Sequence, residues 1–223
     1  MAMRLAPGRG IDIVGRMTTS VPLPAVVAAD LGARLSGSRV IIEPLTAEHV
    51  DGLAAIATDS DMFAWMAVDL TDPATLRAWV QDALSAAQRG HEVPFAVRAA
   101  DDGRVLGCTR FLSLALDHLS AEIGWTWYAR SAWGTGINVE TKLLLLGHAF
   151  ETAGLRRVEF KTDARNERSR GALTALGAHF EGIFRKHKVL PDGGARDSAY
   201  YSVIDDEWPL VRGGLITRLR DSR

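Results

Sequence analysis

One stretch constrains this chain more than any other: Ala121-Glu122-Ile123-Gly124-Trp125-Thr126-Trp127-Tyr128, then Ala129–Gly136, then a helical pattern over about Asn138–Ala153 that Gly154 ends. A run rich in Ile, Trp, Thr and Tyr is a strand. It passes through Trp133-Gly134-Thr135-Gly136 straight into a helix, and Arg157–Thr162 is a strand again. Such a chain folds as α/β. A glycine-rich turn at a helix start also presents unpaired backbone N–H groups at the positive end of the helix dipole, which suits a phosphate. Two readings stand at this point, a phosphate cradle and a plain tight turn. The turn has neither the Lys-Ser/Thr of a P-loop nor a third glycine at dinucleotide spacing.

The flanking elements fit the same class. Arg39–Leu45 is a short strand, and Thr46 with Glu48 marks a helix entry. Asp72 caps a second helix, Pro73 takes its first turn and Gly90 stops it. Pro94–Ala99 and Arg104–Leu112 flank the hairpin turn Asp101-Asp102-Gly103. Glu167–Leu176 is a helix ended by Gly177, His179–Val189 and Arg196–Ile204 form a second hairpin, and Asp205 or Asp206 caps a final helix. The expected architecture is one mixed, mostly antiparallel sheet with flanking helices. Residues 1–38 show no sustained period and read as an N-terminal extension; residues 39–223 read as one domain.

Composition excludes several function classes. With 26 Lys+Arg against 27 Asp+Glu, the chain lacks the positive excess of a general nucleic-acid binder. The single cysteine, Cys108, rules out an intramolecular disulfide and a cysteine-based zinc cluster; no metal is expected. In its Val-Leu-Gly-Cys-Thr-Arg-Phe strand it reads as a small buried hydrophobe. No apolar run reaches the roughly 18 residues of a membrane span, and Arg4, Arg9, Asp12 and Arg16 interrupt any signal-like segment. A soluble cytoplasmic protein is the expectation. Within residues 156–170, Arg156, Arg157, Lys161, Arg165, Arg168 and Arg170 outnumber Glu159, Asp163 and Glu167. A polyanionic ligand would explain that cluster; a solvated helix face is the alternative for each arginine.

The ordered set Glu122-Ile-Gly-Trp-Thr-Trp, Trp133-Gly-Thr-Gly-Ile-Asn-Val-Glu-Thr-Lys142, His148-Ala-Phe-Glu151, Arg157-Val-Glu, Asn166-x-x-Ser169, Leu176-Gly-Ala178, Glu181-Gly-x-x-Arg185 and Glu207-Trp-Pro209 resembles the GCN-five-related N-acetyltransferase (GNAT) family, in its RimJ/RimL-type branch. The resemblance spans about Arg39 to Leu219 and implies the GNAT acyl-CoA N-acyltransferase fold. It implies an acetyl-CoA-dependent transfer to a primary amine, a protein N-terminus or a small amine, by direct attack in a ternary complex, with a homodimer plausible.

By the same resemblance, Trp125, Thr126 and Trp127 pair with the pantetheine amides. Arg130, Trp133, Gly134, Thr135 and Gly136 receive the pyrophosphate, Asn166 and Ser169 line the thiol end, and Arg165, Arg168 and Arg170 lie near the adenosine phosphates. An attacking amine must lose a proton, and Glu122 is the candidate base, its alternative reading being an exposed strand charge. His118 is second. The departing thiolate needs a donor; relatives use a Tyr in the helix after Asn166, but Gly171–Ala178 holds none, so Ser169 becomes the nearest matched candidate. Glu140 and Lys142 read as helix-dipole and i,i+4 electrostatics, and His148 as packing. Trp65 is weighed as core and as part of an acceptor site. Three other readings remain open: a non-catalytic CoA-binding module, a transferase for longer acyl-CoA, and a nucleotide-binding protein built on the glycine turn.

Overall fold

The chain's glycine turns and proline-started helices divide it into short elements that build one sheet. A computed structural model describes residues 26–190 and 193–222. Its strands are β1 (Leu35–Ser36), β2 (Val40–Pro44), β3 (Val93–Ala99), β4 (Val105–Ala115), β5 (Ser120–Tyr128), β6 (Arg157–Asp163), β7 (His179–Val189) and β8 (Ala195–Ile204). They lie in the order β1-β2-β3-β4-β5-β6-β8-β7. Every pairing is antiparallel except β5 with β6. The mixed, mostly antiparallel sheet is as expected. The parallel pair exists because a helix intervenes between its strands.

Helices cover both faces. On one lie α1 (Val50–Ile56) and α2 (Pro73–Gln88), whose Leu53, Leu76, Trp79 and Val80 pack with Ala96, Cys108 and Trp127. On the other lie α3 (Ile137–Gly147), α4 (Glu167–Leu176) and α5 (Trp208–Asp221); their Leu145, Leu146, Leu173, Val211 and Leu215 meet Phe95, Phe111, Val158 and Phe160. Asp72 caps α2 as expected, accepting from Thr75 N and Oγ1 at 2.8 and 2.6 Å. The last helix starts later than expected, with Glu207 rather than Asp205 or Asp206 in the N-cap position. The helix after the glycine turn is α-helical only to Gly147 and continues through a π turn, His148–Thr152.

The expected boundary after residue 38 does not mark where the fold begins. Ala28–Leu31 form a 3₁₀ turn, Leu31 is fully buried in the core, and β1 pairs with β2. The first 25 residues of the extension lie outside the described residues. Glu140 also corrects its expected role. It is 3% exposed and reaches across to the β1–β2 turn, accepting from Ser38 N and Oγ, Arg39 N and Val40 N at 2.7–2.9 Å. One buried carboxylate thus gathers four donors of the turn that joins β1 to β2. Gly37 is required beside it, because a Cβ there would stand 2.5 Å from the carboxylate carbon. His148 is buried, with Nε2 2.8 Å from the Asp30 carbonyl, so it ties the same N-terminal segment to the core.

Candidate active site

The parallel pair is short. Ser120, Ala121 and Glu122 pair with Arg157, Val158 and Glu159, and no further register is formed between the two strands among the described residues. Beyond that point β5 stays on β4 and β6 stays on β8. The edges facing each other, Ile123–Tyr128 and Phe160–Asp163, therefore carry backbone donors and acceptors with no strand between them. An extended amide-bearing ligand is the natural partner for two such edges. The fork opens toward the C-terminal ends of parallel strands, where ligands collect in open α/β sheets.

A bulge shapes the inner edge. On β4, Cys108 pairs with Trp127 and Arg110 with Gly124, so Trp125 and Thr126 together oppose Thr109. Trp125 has φ +49°. Its ring is held edge-on to Trp79 of α2 at 5.7 Å, and the Arg110 guanidinium lies 5.5 Å from it. That guanidinium is buried, stacked 3.9 Å over Trp79 and bonded to Glu92 at 2.8 Å. Thr126 consequently turns to the α3 face, where its Oγ1 lies 2.7 Å from Thr109 Oγ1 and 3.2 Å from Lys142 Nζ. Lys142 was expected to serve helix-dipole and i,i+4 electrostatics; instead it is 6% exposed and turns its amine across to β5.

Glu122 stands at the vertex of the fork on the opposite face and is 3% exposed, which excludes the reading as an exposed strand charge. Lys161 Nζ and Ser113 Oγ both donate to its Oε2, at 2.5 and 3.1 Å. Its Oε1 lies toward Gly124, within 3.0 Å of where a Cβ would be, so the missing side chain leaves that oxygen room beside the bulge. His118 is exposed at the end of a 3₁₀ turn. On the same face as Glu122, His187 Nδ1 lies 3.0 Å from Ser198 Oγ and its Nε2 3.3 Å from Tyr200 OH, and Tyr200 stacks on Phe184 at 4.2 Å. Burial, then the charges of Lys161, Lys188 and Arg196, hold the His187 imidazole below its usual range despite the opposing pull of Glu122.

At the wide end, Gly134 and Gly136 adopt φ +76° and +83°, a region that favours glycine, and Gly136 stands in the N-cap position of α3. The turn is braced from behind. Arg39 Nη1 donates to Thr135 O at 2.9 Å while its Nη2 reaches the carbonyls of Leu219 and Ser222. Trp133 Nε1 bonds Tyr128 O at 3.0 Å. Arg130 and Arg168 lie 4.5 and 3.8 Å from the Trp133 ring, joining the starts of α3 and α4. Arg130 is also paired with Asp59.

The cationic stretch 156–170 is dispersed by acids from within it and from neighbouring strands. Arg157 pairs with Glu159 and Glu181, Lys161 with Glu122, and Arg165 with Asp163. Arg170 turns to Ala164 O and Tyr201 OH, at 3.0 and 3.3 Å, and is committed to the α4–β8 packing. Arg168 is the arginine that reaches the turn. Asn166 is buried and spends its carboxamide oxygen on Ser169 N at 3.0 Å, capping α4; Ser169 is half-buried one turn in. Cys108 is fully buried, its Sγ 3.7 Å from Trp125 O, and burial pushes the thiol up to about 12, which suits the expected hydrophobe. Trp65 is 41% exposed, outside the core, with Arg165 5.5 Å from its ring.

Three features of the site escaped the sequence. His187 and Tyr200 lie on strands that alternation marks only as a hairpin, and Lys161 was legible only as one charge among several. Lys161 bonds Glu122, while His187 and Tyr200, on the strands beyond β6, share its face and feel its charge.

Residues 39–179 match the family model of the acetyltransferase (GNAT) domain. The chain belongs to this family. Among solved structures, a T. thermophilus protein described as an acetyltransferase is 36% identical, with a TM-score of 0.75 over 83% of this chain and 96% of that one. A GCN5-related N-acetyltransferase from Brucella melitensis is 28% identical, with a TM-score of 0.78 over 84% and 86%. Mycobacterium smegmatis RimJ, solved with CoA-disulfide, shares the fold at 21% identity, with a TM-score of 0.72 over 85% and 96%. No curated protein matches the chain. The GNAT membership makes the chain an acyltransferase, and the sheet described above is the GNAT fold. Among the described residues no helix is long and apolar enough to cross a membrane.

Proposed function

We propose that this GNAT chain transfers the acetyl group of acetyl-CoA to a primary amine, a protein N-terminus or a small amine, by direct attack within a ternary complex. The observation that carries the reading is the end of β5–β6 pairing at Glu122 and Glu159, which leaves two bare strand edges running to a braced glycine turn. The residues present fit the cofactor. The pantetheine amides pair with the backbone of Trp125, Thr126 and Trp127, and the pyrophosphate takes N–H groups of Trp133 to Gly136 at the start of α3. Arg130 and Arg168 supply positive charge beside it; Asn166 and Ser169 border the thiol end.

Acetyl-CoA brings the activated thioester; the chain orients it and manages protons. An N–H of the bulge at Trp125–Trp127 meets the carbonyl oxygen as it becomes an oxyanion. On the α1/α2 face, Glu122 accepts the amine's proton through Oε1, directly or by one water, while Lys161 and Ser113 fix Oε2. The proposed base therefore presents its second oxygen beside the bulge, at Gly124.

Calorimetric titration of the full chain with acetyl-CoA, followed by thiol-release assays with a panel of amines, tests this. Micromolar or tighter binding is expected. Glu122→Gln is expected to keep binding and lower turnover about a hundredfold. Folded protein that does not bind acetyl-CoA defeats the reading; turnover unchanged in Glu122→Gln removes Glu122 as base.

A further inference from the structure

Lys142, one turn into α3, is buried where no counter-ion meets it among the described residues. Its Nζ is 3.2 Å from Thr126 Oγ1 on β5 and 5.3 Å from the centroid of the Phe160 ring on β6. Both contacts lie past the last paired residues, Glu122 and Glu159. The ammonium thus sits under the open half of the fork and touches both of its arms. Thr126 Oγ1 is already engaged with Thr109 Oγ1 at 2.7 Å, so the hydroxyl occupies one of the three Nζ donors.

The charged groups of the surrounding elements are turned elsewhere. Glu140, on the same helix, is spent on the Ser38–Val40 turn. Glu122 and Glu159 lie across the sheet, held by Lys161 and Arg157. The Tyr128 phenol on β5 is buried beside Thr141. On α5, Arg212 pairs with Glu151 and Arg218 bonds Ala175 O; His148 bonds Asp30 O. Burying an ammonium with a hydroxyl and a ring for company but no carboxylate costs several kcal/mol. A fold that carries that cost beside the open strands of the fork makes the group a candidate for the chemistry.

We propose, resting on the reading that the acyl-CoA arm lies in the fork, that Lys142 is the general acid of the transfer and hands a proton to the cofactor sulfur as the C–S bond breaks. The acceptor nitrogen bonds to the thioester carbon. The adduct loses the nitrogen's proton to Glu122 or water and expels sulfur with the C–S electron pair. Sulfur takes the proton from the Lys142 ammonium, leaving the amide, the free thiol and a neutral lysine that solvent reprotonates.

The absence of a tyrosine from Gly171–Ala178 left Ser169 as the matched candidate on α4, and Lys142 is proposed in its place. α4 and α3 cover the same face of the sheet, so a donor from α3 approaches from the side that α4 would have served. Desolvation lowers the Lys142 amine to about 7. It is therefore partly protonated at neutrality, and its neutral product is eased by the burial that disfavours the charge.

The test uses the full chain, acetyl-CoA, and whichever of a polyamine, an aminoglycoside and a short peptide with a free N-terminus is turned over fastest. Where none exceeds the background, single-turnover hydrolysis of acetyl-CoA reports the same C–S cleavage. Lys142→Met is expected to bind acetyl-CoA within about threefold of wild type and to lose about a hundredfold in kcat. Wild-type kcat should fall as pH rises through about 7, where the acid loses its proton. That descending limb should be absent from Lys142→Met. Lys142→Arg, whose guanidinium keeps its charge but does not surrender a proton, is expected to stay as slow as Lys142→Met and to lack the limb; kcat restored by Arg would make the role electrostatic and overturn the assignment as acid.

A kcat for Lys142→Met within threefold of wild type, or retention of the limb, overturns the proposal. So does loss of acetyl-CoA binding with kcat unchanged, which would make Lys142 a part of the cofactor's seat. Wild-type protein that fails to bind acetyl-CoA is a separate outcome; it removes the occupant of the fork and the proposal with it.

Discussion

Two lysines reach the fork from opposite faces of one sheet, and they live under different physics. Lys161, on β6, faces the α1/α2 side and ends 2.5 Å from the Glu122 carboxylate, with its side chain 16% exposed. Lys142, from the α3 side, ends on a threonine hydroxyl over a phenylalanine ring, and burial lowers its amine to about 7. Compensation makes the first a holder of charge, keeping a carboxylate oriented. Lack of compensation makes the second able to give its proton up. The same residue type is an anchor in one setting and an acid in the other because of what lies within a few ångströms.

The strongest way to break the comparison is Lys161→Met. It strands a 3%-exposed carboxylate without its cation, and removal of one partner from a buried pair is expected to cost about 3 kcal/mol. Urea unfolding at neutral pH measures it, and Lys161→Met with Glu122→Gln should recover much of the loss. If the single variant is as stable as wild type, Lys161 is no anchor.

Lys142→Met should act in the opposite direction, stabilising the fold by about 2 kcal/mol at neutral pH, since an apolar side chain replaces an uncompensated charge. The sign with pH follows from linkage. The folded chain holds this proton less tightly than the unfolded chain, so the penalty is full below about 7. It is relieved as pH rises from there toward the ordinary lysine range. The gain from Lys142→Met should therefore shrink between pH 6 and pH 9 in matched urea titrations; a gain that grows over that range would contradict an unpaired buried amine.

Thr126→Val makes the smallest change, about 1 kcal/mol of lost hydrogen bonding. It leaves Lys142 Nζ with still less to donate to and should move the descending limb of the kcat profile to lower pH. An unmoved limb would separate Lys142 from Thr126.

Much of this was legible before any coordinates. The strand Glu122–Tyr128, the glycine turn and the helix after it could be read because each has a local signature: aromatic and β-branched residues, glycines at positive φ, and helical spacing. Asp72 was legible as a cap for the same reason. Glu140 was not, because its partners are backbone groups of Ser38, Arg39 and Val40, about a hundred residues away in sequence. The cationic run 156–170 looked like a phosphate patch only as long as Glu181, Glu122 and Tyr201 could not be seen beside it.

By itself, the sequence determined the order of the elements, the sites of the turns and the GNAT pattern, all of which depend on neighbours along the chain. Tertiary structure decided which side chain meets which at the fork. In a regular strand Glu122, Gly124 and Thr126 share a face. The bulge at Trp125 inserts one residue, so Glu122 looks to α1/α2 while Thr126 looks to Lys142. A strand's period of two makes every side-chain direction past a bulge reverse. The pairing of β4 with β5 sets where that reversal falls, and no run of residues on one strand contains it.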